Sequence, residues 1–130
     1  MAGETVLIVD DNPANLRLAS LVLELDGYQV RTAGDAEDAL KVLGTFHPRL
    51  ILMDLQLPGL DGLDLTRRLK ADPASRDMTI VALTAYAMKG DEERARAAGC
   101  DGYLTKPIDT RRLSSQLAAF LPGAASVQEG

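Results

Sequence analysis

The sequence is poor in several features, and each shortage excludes a class of protein. The 130 residues include one cysteine, Cys100, so no disulfide can form within the chain. No apolar run approaches the ~20 residues that a helix needs to cross a bilayer. No basic segment follows Met1 as it does in a signal peptide, so we expect a cytoplasmic protein without membrane contact. The 46% of hydrophobic residues is typical of one ordinary globular domain.

Basic residues and histidine are also scarce. The chain has 14 lysines and arginines against 19 acids, for a formal net charge of −5. This balance argues against nucleic acid as a direct partner, because DNA-binding domains usually carry a basic face. His47 is the only histidine and precedes Pro48 in a predicted loop, which favours a structural or exposed role. Cys100 follows Ala97-Ala98-Gly99 and is expected to be a small buried residue rather than a reactive thiol.

Strand-like and helix-like segments alternate along the chain. The predicted strands are Thr5–Val9, Tyr28–Thr32, Arg49–Met53, Thr79–Leu83 and Gly102–Thr105. The predicted helices begin near Pro13, Asp35, Leu65, Asp91 and Leu113, and end near Gly27, Gly44, Ala71, Ala98 and Pro122. Strands that are each followed by a helix predict an α/β fold with a parallel sheet between two helical layers. The small residues 124–130 are expected to form a disordered tail.

Two helices show clear sequence signals. The first has Asn12 as its predicted N-cap and Pro13 at its first position. Its apolar residues recur at intervals of three and four and are Leu18, Leu21, Val22 and Leu25. The last helix carries a comparable stripe of Leu113, Leu117, Phe120 and Leu121. Both patterns predict amphipathic helices.

Polar residues follow the apolar runs of the predicted strands. Val6–Val9 leads into Asp10 and Asp11, and Leu50–Met53 leads into Asp54. The fourth and fifth strands lead into Thr84 and Lys106. A carboxylate is costly to bury without partners. Because parallel strands share the edge at which they end, these groups should converge where open α/β sheets place their sites.

Three carboxylates opposed by one ammonium favour a metal ion. Carboxylates about 4–6 Å apart raise one another's pKa, and the positive charge of Lys106 can offset only one of the negative charges. Mg²⁺ suits such a site because it is held by carboxylates, waters and phosphate oxygens. Asp11 or Asn12 can alternatively serve as a helix cap.

Asp54 is the candidate nucleophile of this site. A carboxylate beside a metal can attack a phosphoryl group and give an aspartyl phosphate. Lys106 and the metal supply positive charge for the phosphoryl oxygens, and the backbone amides of Leu55 and Gln56 are further candidate donors. The Thr84 hydroxyl is placed to bond one oxygen, although a structural role would also explain a threonine there. Taken alone, Lys106 would be read as an exposed surface lysine.

The segments Val6–Asn12, Leu52–Pro58, Leu83–Ala85 and Tyr103–Pro107 resemble the receiver domains of two-component response regulators. The resemblance covers residues 4–121 in the family's order and assigns residues 1–123 to a receiver domain. Within the family, Thr84–Arg94 and Gly99-Cys100 are most similar to single-domain cell-division regulators of the DivK kind.

The resemblance implies a flavodoxin-like (βα)5 fold with strand order 2-1-3-4-5. It implies that Asp54 is the phosphoacceptor and that Lys106 contacts both the phosphoryl group and the carboxylate. Mg²⁺ would bind Asp11, Asp54 and the Gln56 carbonyl, with Asp10 acting through water. The further implied features are a Thr84–Tyr103 switch pair, a cis bond to Pro107, an open path beside Ala85, and a phosphoryl lifetime tuned by Gln56 and Tyr86.

The resemblance also implies the partners. A histidine kinase or a histidine phosphotransfer protein would supply the phosphoryl group, since His47 is not a credible donor. A downstream protein would bind the surface of helix four, strand five and helix five once phosphorylation shifts it.

Three alternatives remain open. One is a phosphate shuttle within a phosphorelay. A second is an Mg²⁺-dependent phosphatase with an aspartate nucleophile, although the general acid expected two residues after Asp54 is replaced by Gln56. A third is a flavin or nucleotide binder, although Asp10-Asp11-Asn12-Pro13 stands where such proteins carry a phosphate-binding loop.

Overall fold

The computed structural model describes residues 4–55, 62–84, 90–106 and 108–121. Within them the strands are β1 (Thr5–Val9), β2 (Gln29–Ala33), β3 (Leu50–Asp54), β4 (Thr79–Thr84) and β5 (Gly102–Thr105). The helices are α1 (Pro13–Leu25), α2 (Ala36–Leu43), α3 (Gly62–Ala71), α4 (Asp91–Ala98) and α5 (Leu113–Ala118). The predicted alternation is confirmed, and no strand boundary differs from its prediction by more than one residue.

The strands form one parallel sheet in the order β2-β1-β3-β4-β5. This is the doubly wound, flavodoxin-like arrangement that the resemblance to receiver domains implies. From β1 the chain first adds β2 on one side and then crosses back to add β3, β4 and β5 on the other, so the winding direction reverses between the neighbouring strands β1 and β3. In such sheets the crevice beyond the carboxyl ends of the strands at the reversal is the usual ligand site. Asp10, Asp11 and Asp54 lie there.

Two buried apolar layers cover the faces of the sheet. Leu50 and Leu52 of β3 pack in the layer formed with α1 and α5. Ile51 and Met53 pack in the opposite layer, formed with α2, α3 and α4. All four side chains are fully buried, which accounts for the continuous apolar run of this central strand. The sheet is therefore a rigid base for the residues at its carboxyl edge.

Helix α1 begins as predicted, but of the apolar stripe that identifies it only Val22 packs against the core. The Asn12 side chain caps the helix by accepting from the backbone N–H groups of Ala14 and Asn15. Leu18, Leu21 and Leu25 are 41%, 54% and 77% exposed. The buried residues of α1 are instead Ala19 and Leu23. The helix carries two apolar stripes, and packing against the sheet covers the one that contains the small Ala19.

Helix α5 is shorter than its apolar pattern suggests. The predicted stripe is largely confirmed, because Leu113, Leu117 and Leu121 are buried and Phe120 packs against the same layer. The helix ends at Ala118, however, and the N–H groups of Phe120 and Leu121 bond to carbonyls three residues earlier. The tighter turn continues the apolar surface without continuing the α-helix.

The helices among the described residues are all too short or too polar to span a membrane. The predicted tail, residues 124–130, lies outside the described residues.

Candidate phosphoacceptor and metal site

Asp54 is the last residue of β3 rather than the first residue after it. Its side chain is 1% exposed, and its neighbour across the sheet is Leu83 of β4. The Lys106 ammonium donates to Asp54 Oδ2 over 3.0 Å. A buried carboxylate needs such a partner, because desolvating its charge costs several kcal/mol. The sheet thus presents one buried, charge-paired carboxylate at its carboxyl edge.

Asp10 lies beside Asp54 at the end of the neighbouring strand. It is also 1% exposed, and its backbone N–H donates to the carbonyl of Ala33. The backbone N–H of Asn12 donates to Asp10 Oδ1 over 2.9 Å, and Asn15 Nδ2 donates to Asp10 Oδ2 over 3.3 Å. The start of α1 therefore holds this carboxylate through both of its oxygens.

Asp11 completes an acidic cluster with Asp10 and Asp54. Each residue offers a carboxylate oxygen, and these oxygens lie within 4.8 Å of one another. Asp11 is exposed, whereas the other two are buried. Three carboxylates at this separation carry more negative charge than one lysine neutralises, and they are the oxygen ligands that Mg²⁺ prefers. The donor set therefore fits a hard divalent cation.

Lys106 bridges the two buried acids. Its Nζ lies 3.0 Å from Asp54 Oδ2 and 3.5 Å from Asp10 Oδ2, and its side chain is 18% exposed. Burial by itself lowers the pKa of Lys106, but the hydrogen bond to Asp54 and the charges of Asp54 and Asp10 outweigh it. The pKa lies above its ordinary value of 10.5, so the side chain is charged at neutral pH. The reading of Lys106 as an ordinary surface lysine does not hold.

Thr84 and Tyr103 lie on the neighbouring strands. Thr84 ends β4, is 2% exposed, and pairs with Thr105 of β5. Its carbonyl accepts from the Lys106 backbone N–H over 2.7 Å, which fixes the base of the lysine at the same edge. Tyr103 is half-buried and packs against the layer of α2, α3 and α4. The two residues therefore belong to adjacent strands that connect the site to that helical layer.

One candidate donor is already in use. The backbone N–H of Leu55 donates to the carbonyl of Leu83 over 3.0 Å and continues the pairing between β3 and β4. The Leu55 amide is therefore engaged in the sheet in this conformation, and its role as a donor to a phosphoryl group stays a prediction. Gln56, Ala85, Tyr86 and Pro107 lie outside the described residues.

Two further residues matter to the site although their role was not predicted. Asn15 contacts Asp10, and its position three residues after the N-cap was the available signal. Gly62 is the first residue of α3. A Cβ at Gly62 would lie 2.3 Å from the Asp54 carbonyl oxygen and 2.9 Å from Leu55 Cα. Only glycine permits α3 to begin so close to the backbone of Asp54.

The two residues expected to stand apart from the chemistry do so. The Cys100 side chain is 8% exposed, and its Sγ lies 3.9 Å from Thr66 Oγ1. Burial raises the pKa of the Cys100 thiol, with a smaller opposing effect from Thr66. His47 is exposed, and its Nε2 lies 3.4 Å from Asp77 Oδ1 in a surface pair.

A parallel sheet with paired acids, an acceptor aspartate and a lysine at its carboxyl edge defines a class of phosphate-handling signalling domain. The family model described as "Response regulator receiver domain" matches residues 6–118, and the chain belongs to this family. Receiver domains are signalling switches of two-component systems rather than turnover enzymes in the usual sense, and they receive phosphoryl groups from histidine kinases.

Similar proteins agree with this assignment. The polar-differentiation response regulator DivK of Brucella ovis is 41% identical over 121 residues, which cover 93% of this chain and 98% of DivK. The chemotaxis response regulator CheY4 of Vibrio cholerae superposes with a TM-score of 0.87 at 26% identity, covering 92% of this chain and all of CheY4. A third similar structure is the receiver domain of sensor histidine kinase PA1611 from Pseudomonas aeruginosa, which was solved with a magnesium ion coordinated in its active-site cleft. It superposes with a TM-score of 0.82 at 37% identity, and the match covers 92% of this chain and 98% of that domain.

Proposed function

We propose that this protein accepts a phosphoryl group on Asp54 from the phosphohistidine of a histidine kinase or a histidine phosphotransfer protein. The observation that carries the proposal is the contact of the buried Asp54 carboxylate with Lys106 inside the cluster of three acids. The chain acts stoichiometrically, as a switch, and signals by binding another protein in one phosphorylation state.

The proposed reaction is an in-line transfer. An Asp54 oxygen forms a bond to phosphorus while the bond from phosphorus to the donor imidazole nitrogen breaks. Such transfers need little covalent help and depend on positioning and on charge neutralisation. Lys106, held by the Thr84 carbonyl and charged at neutral pH, is placed to neutralise an oxygen of the transferred group.

We propose that Mg²⁺ is the cofactor. Asp11, Asp54 and the Gln56 carbonyl would hold it, and Asp10 would act through a water. The ion would neutralise the excess charge of the acids and of the phosphoryl group. The acidic cluster supports this assignment, as does the magnesium ion in the similar PA1611 receiver domain.

The proposed switch runs from Asp54 through Thr84 to Tyr103. The Thr84 hydroxyl would bond the phosphoryl group, and the half-buried Tyr103 ring would then move fully into the layer behind it. Hydrogen bonds to charged groups contribute about 1.5–3 kcal/mol each. Two new hydrogen bonds of this kind would supply roughly 3–6 kcal/mol. Inverting a 1:99 ratio between two conformations needs about 5.5 kcal/mol. The downstream partner would detect the change on the surface of α4, β5 and α5.

The downstream surface is polar where it is described. On α4 the exposed side chains include Glu92, Glu93, Arg94 and Arg96, and Glu92 pairs with Arg96 over 2.7 Å. The exposed large apolar side chains of the described residues lie on α1 and α2 instead. We propose that α4, β5 and α5 recognise their partner through charge and hydrogen bonding.

The exposed stripe of α1 is the proposed docking surface for the phosphodonor. Ala14, Leu18, Leu21 and Leu25 are exposed and spaced four, three and four residues apart, as along a helix–helix seam. The helix starts beside Asp11, so a donor helix laid along this seam would lie next to the acceptor. Leu21→Glu should therefore slow transfer from a phosphorylated donor protein and leave phosphorylation by acetyl phosphate unchanged.

The first experiment measures the intact mass after incubation with acetyl phosphate, with and without Mg²⁺, for the wild type and Asp54→Asn. One added phosphoryl group that requires both Mg²⁺ and Asp54 supports the proposal. A wild type that takes no phosphoryl group from acetyl phosphate or from autophosphorylated histidine kinases would overturn it. Steady release of phosphate from p-nitrophenyl phosphate would favour a phosphatase. Rapid onward transfer to a histidine phosphotransfer protein would favour the relay shuttle.

A further inference from the structure

The ammonium group of Lys70, near the end of α3, is held by three oxygens. Lys70 Nζ donates to the carbonyl of Met78 and to Asp101 Oδ2, each over 2.8 Å, and to the carbonyl of Arg76 over 3.2 Å. An ammonium has three N–H donors, so these contacts use all of them. The side chain is 21% exposed and two of the acceptors are backbone carbonyls, so the contact is more than a screened surface ion pair. Lys70 therefore joins α3 to the residues that precede β4 and β5.

Asp101, the acidic partner of Lys70, is itself bound to β4. Its Oδ2 accepts from the backbone N–H of Ile80 over 2.9 Å, and its own backbone N–H donates to the carbonyl of Ile80 over 2.7 Å. One carboxylate oxygen of Asp101 thus accepts from both the Lys70 ammonium and the Ile80 backbone. The start of β5 is therefore held to the sheet and to α3 through the same residue.

The C-terminal end of α4 packs on the hydrocarbon stem of the same lysine. Gly99 follows the helix with a φ of 111°, and the N–H of Cys100 closes the turn on the carbonyl of Ala95 over 3.0 Å. A Cβ at Gly99 would lie 2.8 Å from Lys70 Cγ. The glycine therefore serves the left-handed turn and also allows the Lys70 stem to lie against the helix end. Through its stem and its ammonium, Lys70 contacts the end of α4 and the start of β5 together.

This contact point lies at the opposite end of the sheet from the acceptor. Ile80 is the second residue of β4, whereas Thr84 ends the same strand at the carboxyl edge. A helix that connects two parallel strands runs back against their direction, so α4 begins toward the carboxyl edge and ends at Lys70. The eight residues of α4 span about 12 Å. The end of α4 that Lys70 contacts is therefore the end remote from Asp54.

We infer that Lys70 is a positioning residue of the downstream surface, which holds the C-terminal end of α4 and the start of β5 against α3. The inference rests on the proposed function, in which a partner detects phosphorylation on α4, β5 and α5. With this end held, phosphorylation of Asp54 displaces the beginning of α4 and leaves its end in place. A partner that distinguishes the two states must then contact the first turn of α4, where Glu92 and Glu93 are exposed. Contacts near Gly99 would add affinity without distinguishing the states.

The test replaces Lys70 by methionine, which keeps an apolar stem of nearly the same length and has no N–H donor. Amide hydrogen exchange, resolved by residue with NMR, compares the wild type with Lys70→Met. In the unphosphorylated variant we expect the amides of residues 99–101 to exchange at least about tenfold faster, because hydrogen bonds to a charged group no longer oppose local opening. The amides of β3 should exchange at the wild-type rate, which separates local opening from a loss of global stability.

Arg67→Met is the matched control on the same helix. Arg67 Nη1 lies 2.8 Å from Asp64 Oδ1, the same distance as in the pair of Lys70 and Asp101, but this ion pair lies within α3. Its loss should change the exchange of residues 99–101 by less than about twofold. In addition, Lys70→Met should take a phosphoryl group from acetyl phosphate at the wild-type initial rate, because Lys70 is remote from Asp54.

The second comparison is made with excess acetyl phosphate and Mg²⁺. In the wild type we expect phosphorylation to change the exchange of the Arg94 amide, which donates to the Gly90 carbonyl at the start of α4, and to leave residues 99–101 unchanged. In Lys70→Met both ends of α4 should change. Equal changes at both ends in the wild type, or wild-type exchange of residues 99–101 in unphosphorylated Lys70→Met, would overturn the inference. A wild type that takes no phosphoryl group would overturn the proposed function instead, and exchange in the unphosphorylated variant would still decide whether Lys70 holds the end of α4.

Discussion

At the scale of single residues, the backbone around Asp54 depends on a missing side chain. Gly62 begins α3 against the carbonyl of Asp54. Its backbone N–H donates to the carbonyl oxygen of Leu55, with 3.4 Å between nitrogen and oxygen. A Cβ there would lie 2.3 Å from backbone oxygen, so either the helix or the end of β3 would have to move. The same glycine thus influences both stability and the placement of the acceptor.

We predict that Gly62→Ala lowers the free energy of unfolding by about 1–3 kcal/mol, the range found for overpacked interiors. It should also slow phosphorylation by acetyl phosphate, because Asp54 shifts relative to Lys106. Urea denaturation and intact-mass kinetics measure the two effects. Gly34→Ala is the control, since a Cβ at Gly34 would come no closer than 3.9 Å to Asp38 Oδ2. Equal stability of the two variants would contradict the prediction.

Cys100 allows a test of burial at one residue. Burial raises its thiol pKa above the ordinary value of 9.0, so the native thiol is protonated at pH 8. We predict slow reaction of the native protein with a thiol reagent and rapid reaction in urea. Because the pKa is higher in the folded state than in the unfolded state, the associated stability is present below pH 9 and is lost as the pH rises above it. Rapid native labelling at pH 8 would show that α3 and α4 do not cover the thiol.

At the scale of elements, α1 has two apolar stripes with different tasks. Ala19 and Leu23 face the sheet, whereas Leu18, Leu21 and Leu25 face solvent. The exposed stripe has the stronger sequence signal, because its residues are larger and regularly spaced. Exposed apolar stripes of this kind indicate a surface that another molecule covers. One stripe of the helix therefore packs in the core, and the other is exposed and available to contact another protein.

We predict that Leu23→Ala lowers the free energy of unfolding by about 2–5 kcal/mol, as is usual for a fully buried leucine. Leu25→Ala, on the same helix, should change it by less than about 0.5 kcal/mol, because the leucine is 77% exposed. Urea denaturation measures the free energy of unfolding of both variants. Because both replace leucine by alanine in the same helix, the change in helix propensity is the same in the two. A large loss in Leu25→Ala would mean that the stripe is covered within the molecule or by a second copy.

At the scale of the whole molecule, the acidic cluster opposes stability in the absence of a cation. Three carboxylates meet with one ammonium in a chain whose net charge is already −5. Like charges in close proximity destabilise the folded state, which brings them together. Binding a divalent cation would relieve this repulsion and link metal affinity to folding.

We predict that Asp11→Asn raises the free energy of unfolding without Mg²⁺ by about 0.5–1 kcal/mol, a modest gain because Asp11 is exposed. Mg²⁺ at ten times its dissociation constant should stabilise the wild type by about 1.4 kcal/mol and stabilise Asp11→Asn much less. Thermal unfolding with MgCl2, and with NaCl at matched ionic strength, measures both effects. An equal response of the two proteins to Mg²⁺ would exclude Asp11 as a ligand.

Much of this architecture could be predicted from the sequence, because its causes are local. Apolar runs that end in Asp10, Asp54 and Thr84 identify strands and their carboxyl ends. In a parallel sheet all those ends share one edge, so local patterns suffice to bring the acids together. The predicted Asn12 cap acts within one helical turn and is confirmed, and Asp35, predicted as the start of the second helix, caps that helix in the same way.

Only the tertiary structure decided which stripe of α1 is buried, that Lys106 bridges two buried acids, and that Asn15 and Gly62 support the site. The first two depend on atoms that are distant along the chain, and the other two depend on how the start of a helix approaches the end of the preceding strand. Periodicity describes one helix and cannot say which face meets the sheet, and a sequence pattern cannot say that the Lys106 ammonium lies within 3.0 Å of Asp54 Oδ2 and 3.5 Å of Asp10 Oδ2. The sequence determined which groups meet at the sheet edge, and the packing determined how they pair, because burial and hydrogen-bond geometry belong to the assembled molecule.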